Sequence, residues 1–186
     1  MAPKIAAHSY FTTWDISKLK NKRERIAEKL GEYPSLGYWM SEYCILENNK
    51  EIKGKGRDFG MKTALYVARL IHADLTIANA SAWHWWLAMS PYDFKDGLIY
   101  VDKDTEDGNF YGSKLLWALG NYSRFIRPGA KRVSVAYDNF NTVENLKDGV
   151  LLSAYKNTDD SVVLVVINQQ DAPMLLKLNL DIPLNS

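Results

Sequence analysis

The chain reads as an α/β protein: a helix-covered parallel part, then short antiparallel strands. Three observations predict this. Residues 4–127 alternate strand-like apolar runs with helical stretches, the order that builds a parallel sheet covered by helices. After Pro128-Gly129 the pattern changes to short alternating strands. The composition, 47% hydrophobic and 24% charged over 186 residues, is that of a globular chain and excludes a disordered tail or a fibre.

The elements are expected in this order. Lys4–Tyr10 is a short apolar strand. Ser17–Leu30 is a charged helix with a sparse stripe from Ile16, Leu19, Ile26 and Leu30, capped by Ser17 and stopped by Gly31. Its basic segment Lys20–Arg25 is read as a solvated face. Leu36–Ser41 is a buried strand that delivers Glu42 at its end. Arg57–Ala73 repeats apolar residues at helical spacing, and Leu75–Trp86 is apolar enough for a central strand. A loop over Met89–Gly108 precedes a helix from about Phe110 to Phe125. The tail strands are Lys131–Tyr137, Val150–Lys156, Val162–Asn168 and Met174–Leu180, with Asp159-Asp160 as a turn. The domain joint falls at 127–131, so 1–130 and 131–186 are expected as two partial domains.

Three βα units cannot close an eight-fold barrel, which needs about 250 residues. As an open sheet they leave an unpaired edge, prone to self-association. The tail is short against the roughly 100 residues of a sandwich. Both parts therefore look incomplete, and the chain is expected to be a piece of something longer.

Charge and composition exclude several functions. Lys+Arg is 23 and Asp+Glu 22, a net charge of +1, which gives no electrostatic surface for nucleic acid or an anionic membrane. No apolar run approaches the ~20 residues of a spanning helix. Cys44 is the single cysteine, which excludes an internal disulfide. His8, His72 and His84 lack metal-ligand spacing, so no metal or cofactor is expected. Gly54-Lys55-Gly56 with Gly60 misses the dinucleotide fingerprint. The sequons at Asn79 and Asn121 fall inside expected elements and carry no weight.

The candidate chemistry gathers at strand ends. Glu42 sits at the carboxyl end of an apolar strand, where barrels and open α/β sheets place reacting groups. The competing reading is an ion pair with Arg57. His8 and Tyr10 end the first strand and share a face, so both can lean towards Glu42, and a phenol donating to a carboxylate keeps it ionised. On the third strand, alternation groups Ala82, His84 and Trp86 on one face and Trp83 and Trp85 on the other. Aromatics make up 12% of the chain, including six tryptophans, and such rings can stack on the apolar faces of sugars.

Four stretches carry a resemblance. They are Ala7-His8-Ser9-Tyr10; Trp39-Met40-Ser41-Glu42; Ser81-Ala82-Trp83-His84-Trp85-Trp86-Leu87-Ala88; and Leu119-Gly120-Asn121-Tyr122-Ser123-Arg124-Phe125-Ile126-Arg127-Pro128-Gly129 with Arg132-Val133. Together the chain resembles glycoside hydrolase family 30, over nearly its whole length. The resemblance implies units six to eight of a (β/α)8 TIM barrel followed by part of a side β-sandwich.

It also implies a retaining β-glycosidase acting on a carbohydrate substrate. Glu42 matches the nucleophile, Tyr10 the tyrosine bonded to it, and His8 a histidine near the site. Trp86 matches the tryptophan under the cleaved sugar and Trp83 a second aromatic, with His84 between them. Within the family the chain is most similar to endo-β-1,6-galactanase-like members. The family's acid/base glutamate has no counterpart here: Glu47, Asp15 and Asp93 are expected on loops at the same end, but none has a motif that makes it the second carboxyl, so the isolated chain is expected to be inactive. Its parent is expected to be secreted or periplasmic. Two alternatives stay open: a non-catalytic carbohydrate-binding or pseudo-enzyme fragment, and an unrelated α/β interaction domain.

Overall fold

The computed structural model describes residues 3–137 and 142–179. Its first sheet contains β1 (Lys4–His8), β2 (Gly37–Glu42) and β3 (Ala82–Trp83), all parallel in the order β1-β2-β3. Between them run α1 (Ile16–Gly31) and α2 (Met61–Thr76). A second small sheet holds β4 (Met89–Ser90) and β5 (Ile99–Val101) in parallel, with β6 (Phe110–Gly112) antiparallel to β5. Then come α3 (Lys114–Ser123), β7 (Lys131–Val133), α4 (Val143–Asp148), β8 (Val150–Lys156) and β9 (Val162–Asn168). Strands β7, β8 and β9 form an antiparallel meander. This is the C-terminal part of a TIM barrel with sandwich strands attached.

Helix α2 is the centre of the molecule. Twelve of its 16 residues are buried, as expected of a helix covered on all sides. One side takes Tyr38 and Met40 of β2; Leu115 and Tyr122 of α3 and Leu151, Val165 and Ile167 of the meander join the same buried cluster. The other face of the parallel sheet is uncovered. Ile5 and Trp39 are exposed there, and every residue of β1 is exposed. A parallel sheet is normally covered on both faces; here one face is open.

Several boundaries differ from expectation, each for a local reason. Asp15, not Ser17, caps α1, its carboxylate accepting the Lys18 N–H at 2.9 Å. The apolar run 75–86 is not a central strand. Helix α2 continues to Thr76, and Asn79 turns the chain at φ 55°. Ala78 and Ala80 are buried in that turn, leaving only a two-residue β3. An apolar run of this length suits either a buried strand or a buried helix end.

The expected loop 89–108 holds β4 and β5, and Phe110–Gly112 is strand. Helix α3 starts only after the Ser113 cap. Strand β7 stops at Val133, and residues 174–179 form no strand, while Leu180 lies outside the described residues. The β8–β9 hairpin is as expected, with Asp160 at φ 67° in its turn.

Candidate active site

Residues from the ends of β1 and β2 meet at one mouth. The pairing of β1 with β2 steps from Ala7↔Met40 to His8↔Glu42, passing over Ser41. Strict alternation would aim Glu42 to the buried side with Tyr38 and Met40. The irregularity sets it opposite His8 on the open face, the re-aiming that bulges produce beside functional sites. After β1, Phe11 adopts φ 59°, a conformation unusual for a bulky residue, and the chain turns back so that Tyr10 lies over Glu42.

The contacts at Glu42 are specific. Tyr10 Oη donates to Glu42 Oε1 at 2.9 Å. His8 Nδ1 lies 3.7 Å from the same oxygen, with the two side chains 50% and 32% exposed. Tyr10 also lies 3.7 Å from Cys44 Sγ. Burial, the thiol and the Glu42 carboxylate all push the Tyr10 phenol well above its ordinary range, so it is a proton donor rather than an anion. Burial pushes the Cys44 thiol up to about 11. Arg57, the alternative partner for Glu42, is engaged elsewhere. Its guanidinium donates to the carbonyls of Pro91, Tyr92 and Val101 at 2.9–3.0 Å.

The tryptophan segment divides as alternation predicts. His84 packs edge-on against Trp39, ring centroids 6.0 Å apart, on the open face. Trp86 is half exposed, and its backbone N–H donates to the Tyr43 carbonyl at 2.9 Å, which fastens its main chain to the loop after Glu42. Trp83 is not brought to that mouth. Its indole donates to Asp74 Oδ2 of α2 at 3.0 Å and stacks on Trp85 at 6.3 Å. Trp83 and Trp85 thus form the wall behind the site, on the helix side of the sheet.

Sequence reasoning missed two neighbours, Tyr43 and Arg23, and left a third, Glu47, as an open loop carboxylate. Tyr43 lies 5.6 Å from the Tyr10 ring. Glu47 is buried, with Thr13 and Tyr43 donating to it. Arg23, expected on a solvated face, is buried and paired with Asp74 at 2.8 Å. Among the described residues no group of three His, Cys, Asp or Glu is placed to hold a metal ion, and no helix is long and apolar enough to cross a membrane.

The arrangement is a carboxylate oriented by a phenol at the open end of a parallel sheet, with the half-exposed Trp86 tied through its backbone to the residue after Glu42. Such a group can attack an electrophilic carbon from a fixed direction.

Comparison with known proteins bears on the family and the fold. Residues 129–183 match the glycosyl hydrolase family 30 beta sandwich domain. The chain is 29% identical to the glucuronoxylanase XynC of Bacillus subtilis over 137 residues, covering 72% of this chain and 26% of that protein. It is 24% identical to the lysosomal acid glucosylceramidase of Mus musculus over 185 residues, covering 91% and 32%. It thus spans a third or less of these curated relatives. A crystal structure of a conserved exported protein from Bacteroides fragilis superimposes with a TM-score of 0.82 at 34% identity, covering 97% of this chain and 38% of that one. Residues 1–100, more than half of the sequence, match O-Glycosyl hydrolase family 30, and the chain belongs to that family of glycosidases.

Proposed function

We propose that this chain carries the nucleophile side of a retaining β-glycosidase, with Glu42 as the attacking carboxylate. The observation that carries the reading is the 2.9 Å bond from Tyr10 to Glu42 at the sheet mouth. Retaining hydrolysis needs two carboxyl groups about 5–5.5 Å apart. Glu42 attacks the anomeric carbon while the second carboxyl protonates the departing oxygen. Water then displaces Glu42, giving its proton back to the second group. Trp86 offers the exposed ring on which the cleaved sugar rests, and His8 and His84 flank the mouth. Trp83, behind it, supports the wall.

The second carboxyl comes from outside this chain. The other carboxylates expected on loops at this end are occupied: Asp15 caps α1, Glu47 is held by hydroxyls, and Asp93 accepts the Arg57 N–H. Five further barrel units would supply it and cover the free edge of β1. A cavity of about 550 Å³ opens along that edge and α1, lined by His8, Arg23 and Tyr38 among others. Without those units the edge favours self-association. The substrate is a β-linked polysaccharide or oligosaccharide, with β-1,6-galactan as the specific proposal. Likeness to an exported protein supports an exported parent.

The test uses the protein that joins this chain to the remaining barrel units. An activated 2-fluoro glycoside should trap the intermediate, and peptide mapping should place the adduct on Glu42. An adduct on any other residue removes the assignment.

A second reading is favoured by the occupied carboxylates: a non-catalytic carbohydrate-binding fragment. Calorimetry of the 186-residue chain with galactan oligosaccharides separates the two. Binding by this chain, with no turnover once the barrel is complete, selects the second.

A further inference from the structure

Behind the site lies a buried carboxylate with no cation. Glu47 is 4% exposed and makes no ion pair among the described residues. Two hydroxyls donate to it, and a third supports one of them. Thr13 Oγ1 donates to Oε1 at 2.6 Å, and Tyr43 Oη lies 3.0 Å from Oε1 and 3.1 Å from Oε2. Tyr66 Oη donates to Thr13 Oγ1 at 2.9 Å. Each hydroxyl has one proton, and the chain Tyr66→Thr13→Glu47←Tyr43 uses all three, converging on Glu47.

A buried charge is tolerated only when it is hydrogen-bonded in this way, and a satisfied interior network fixes the geometry of its members. The members come from three places. Thr13 lies in the connection after β1, Tyr43 and Glu47 lie in the connection after β2, and Tyr66 belongs to α2.

The network ends on the site. Tyr43 is clamped at its hydroxyl by Glu47, and its ring is a wall with Tyr10 at 5.6 Å on one side and Trp85 at 6.0 Å on another. Tyr10 in turn donates to Glu42. Glu47 cannot itself be the second reacting carboxyl, because it is buried and both its oxygens are taken.

We propose that Glu47 is a positioning residue which, through the Tyr43 ring, fixes the Tyr10 phenol against Glu42. Its catalytic meaning rests on the reading of Glu42 as nucleophile, but its geometry can be tested without turnover.

The experiment is carboxyl NMR on the 186-residue chain carrying ¹³C-labelled glutamate, with the Glu42 signal identified by its loss in Glu42→Gln. Tyr10→Phe should displace that signal, reporting the lost hydrogen bond. Glu47→Gln should displace it in the same direction, and adding Tyr10→Phe to Glu47→Gln should move it little further. Two results overturn the proposal. In one, Glu47→Gln lowers the melting temperature but leaves the Glu42 signal in place, which is a purely structural role. In the other, the full Tyr10→Phe displacement persists on top of Glu47→Gln, which is an effect by another route.

Tyr43→Phe, which removes only the hydroxyl, repeats the comparison should Glu47→Gln not fold. In the unmodified chain the Tyr43 hydroxyl proton should exchange slowly with water, and fast exchange also overturns the proposal. Absence of a Glu42 adduct in the 2-fluoro glycoside experiment refutes the nucleophile reading but leaves these outcomes unchanged.

Discussion

Arg23 Nε lies 2.8 Å from Asp74 Oδ1, with the two side chains 2% and 0% exposed. Arg23 also donates to the Thr12 carbonyl and hydroxyl, while Asp74 accepts from Ser9 and from the Trp83 indole. One ion pair therefore joins α1, α2, the turn after β1 and the tryptophan strand. It lies behind the sheet mouth and sets how the Tyr10 turn and the Trp83–Trp86 segment meet.

Removing one partner leaves the other charge buried. Arg23→Met is expected to cost about 3–5 kcal/mol of folding stability, the range for breaking a buried pair. Asp74→Asn should cost a similar amount, and the double substitution less than the sum. Urea unfolding of the three variants checks this. Additive losses would mean that the pair is not the unit.

Asp58 makes stability depend on acid pH. Burial alone would raise its carboxyl, but the Thr63 hydroxyl, the Gly60 N–H and the Lys95 ammonium outweigh burial and hold it below the ordinary 3.8. The folded pKa lies below the unfolded one. The stabilisation is therefore fully present above the unfolded value and is lost as pH falls through the folded value. Asp58 sits at the start of α2, with Oδ1 2.7 Å from the Gly60 nitrogen. Asp58→Ala should cost about 1 kcal/mol at neutral pH, as for loss of a helix cap, and less in acid. Thermal melts at both pH values test it, and an equal loss at both would contradict the assignment.

Local signals explain what could be read from the sequence. The stretch ending at Glu42 is a strand because its apolar residues lead into a polar end, and the β8–β9 hairpin follows from alternation around Asp159-Asp160. Tyr10 and Glu42 could be paired by strand-end logic alone.

The missed features are those set by distant partners. Nothing near Arg23 signals Asp74, 51 residues away. Glu47 reads as a loop carboxylate because Thr13, which makes it tolerable inside, is 34 residues earlier. Phe110–Gly112 reads as helical because its pairing with β5 is invisible in its own composition.

Cys44 is expected to resist alkylation. It is 3% exposed, and burial pushes its thiol up to about 11. From the shift alone, from the ordinary 9.0 to about 11, its thiolate fraction at neutral pH falls about 100-fold. Iodoacetamide labelling of the folded chain, followed by mass spectrometry, should be slower by at least that factor than labelling in denaturant. Equal rates would show the thiol to be open to solvent.

Tyr10→Phe isolates the single bond on which the proposed chemistry depends. The ring and its packing against Tyr43 remain, and only the donor to Glu42 is lost. A hydrogen bond to a charged group contributes about 1.5–3 kcal/mol, so kcat should fall roughly 10-fold to 100-fold if the bond orients the attacking oxygen. KM should change little, because the phenol faces Glu42 and not the sugar. The measurement is steady-state hydrolysis of an aryl β-glycoside by the protein with its barrel complete, beside Glu42→Gln as the inactive reference. A Tyr10→Phe enzyme with unchanged kcat would mean that Glu42 reaches its attack geometry without the phenol, leaving the bond a feature of packing.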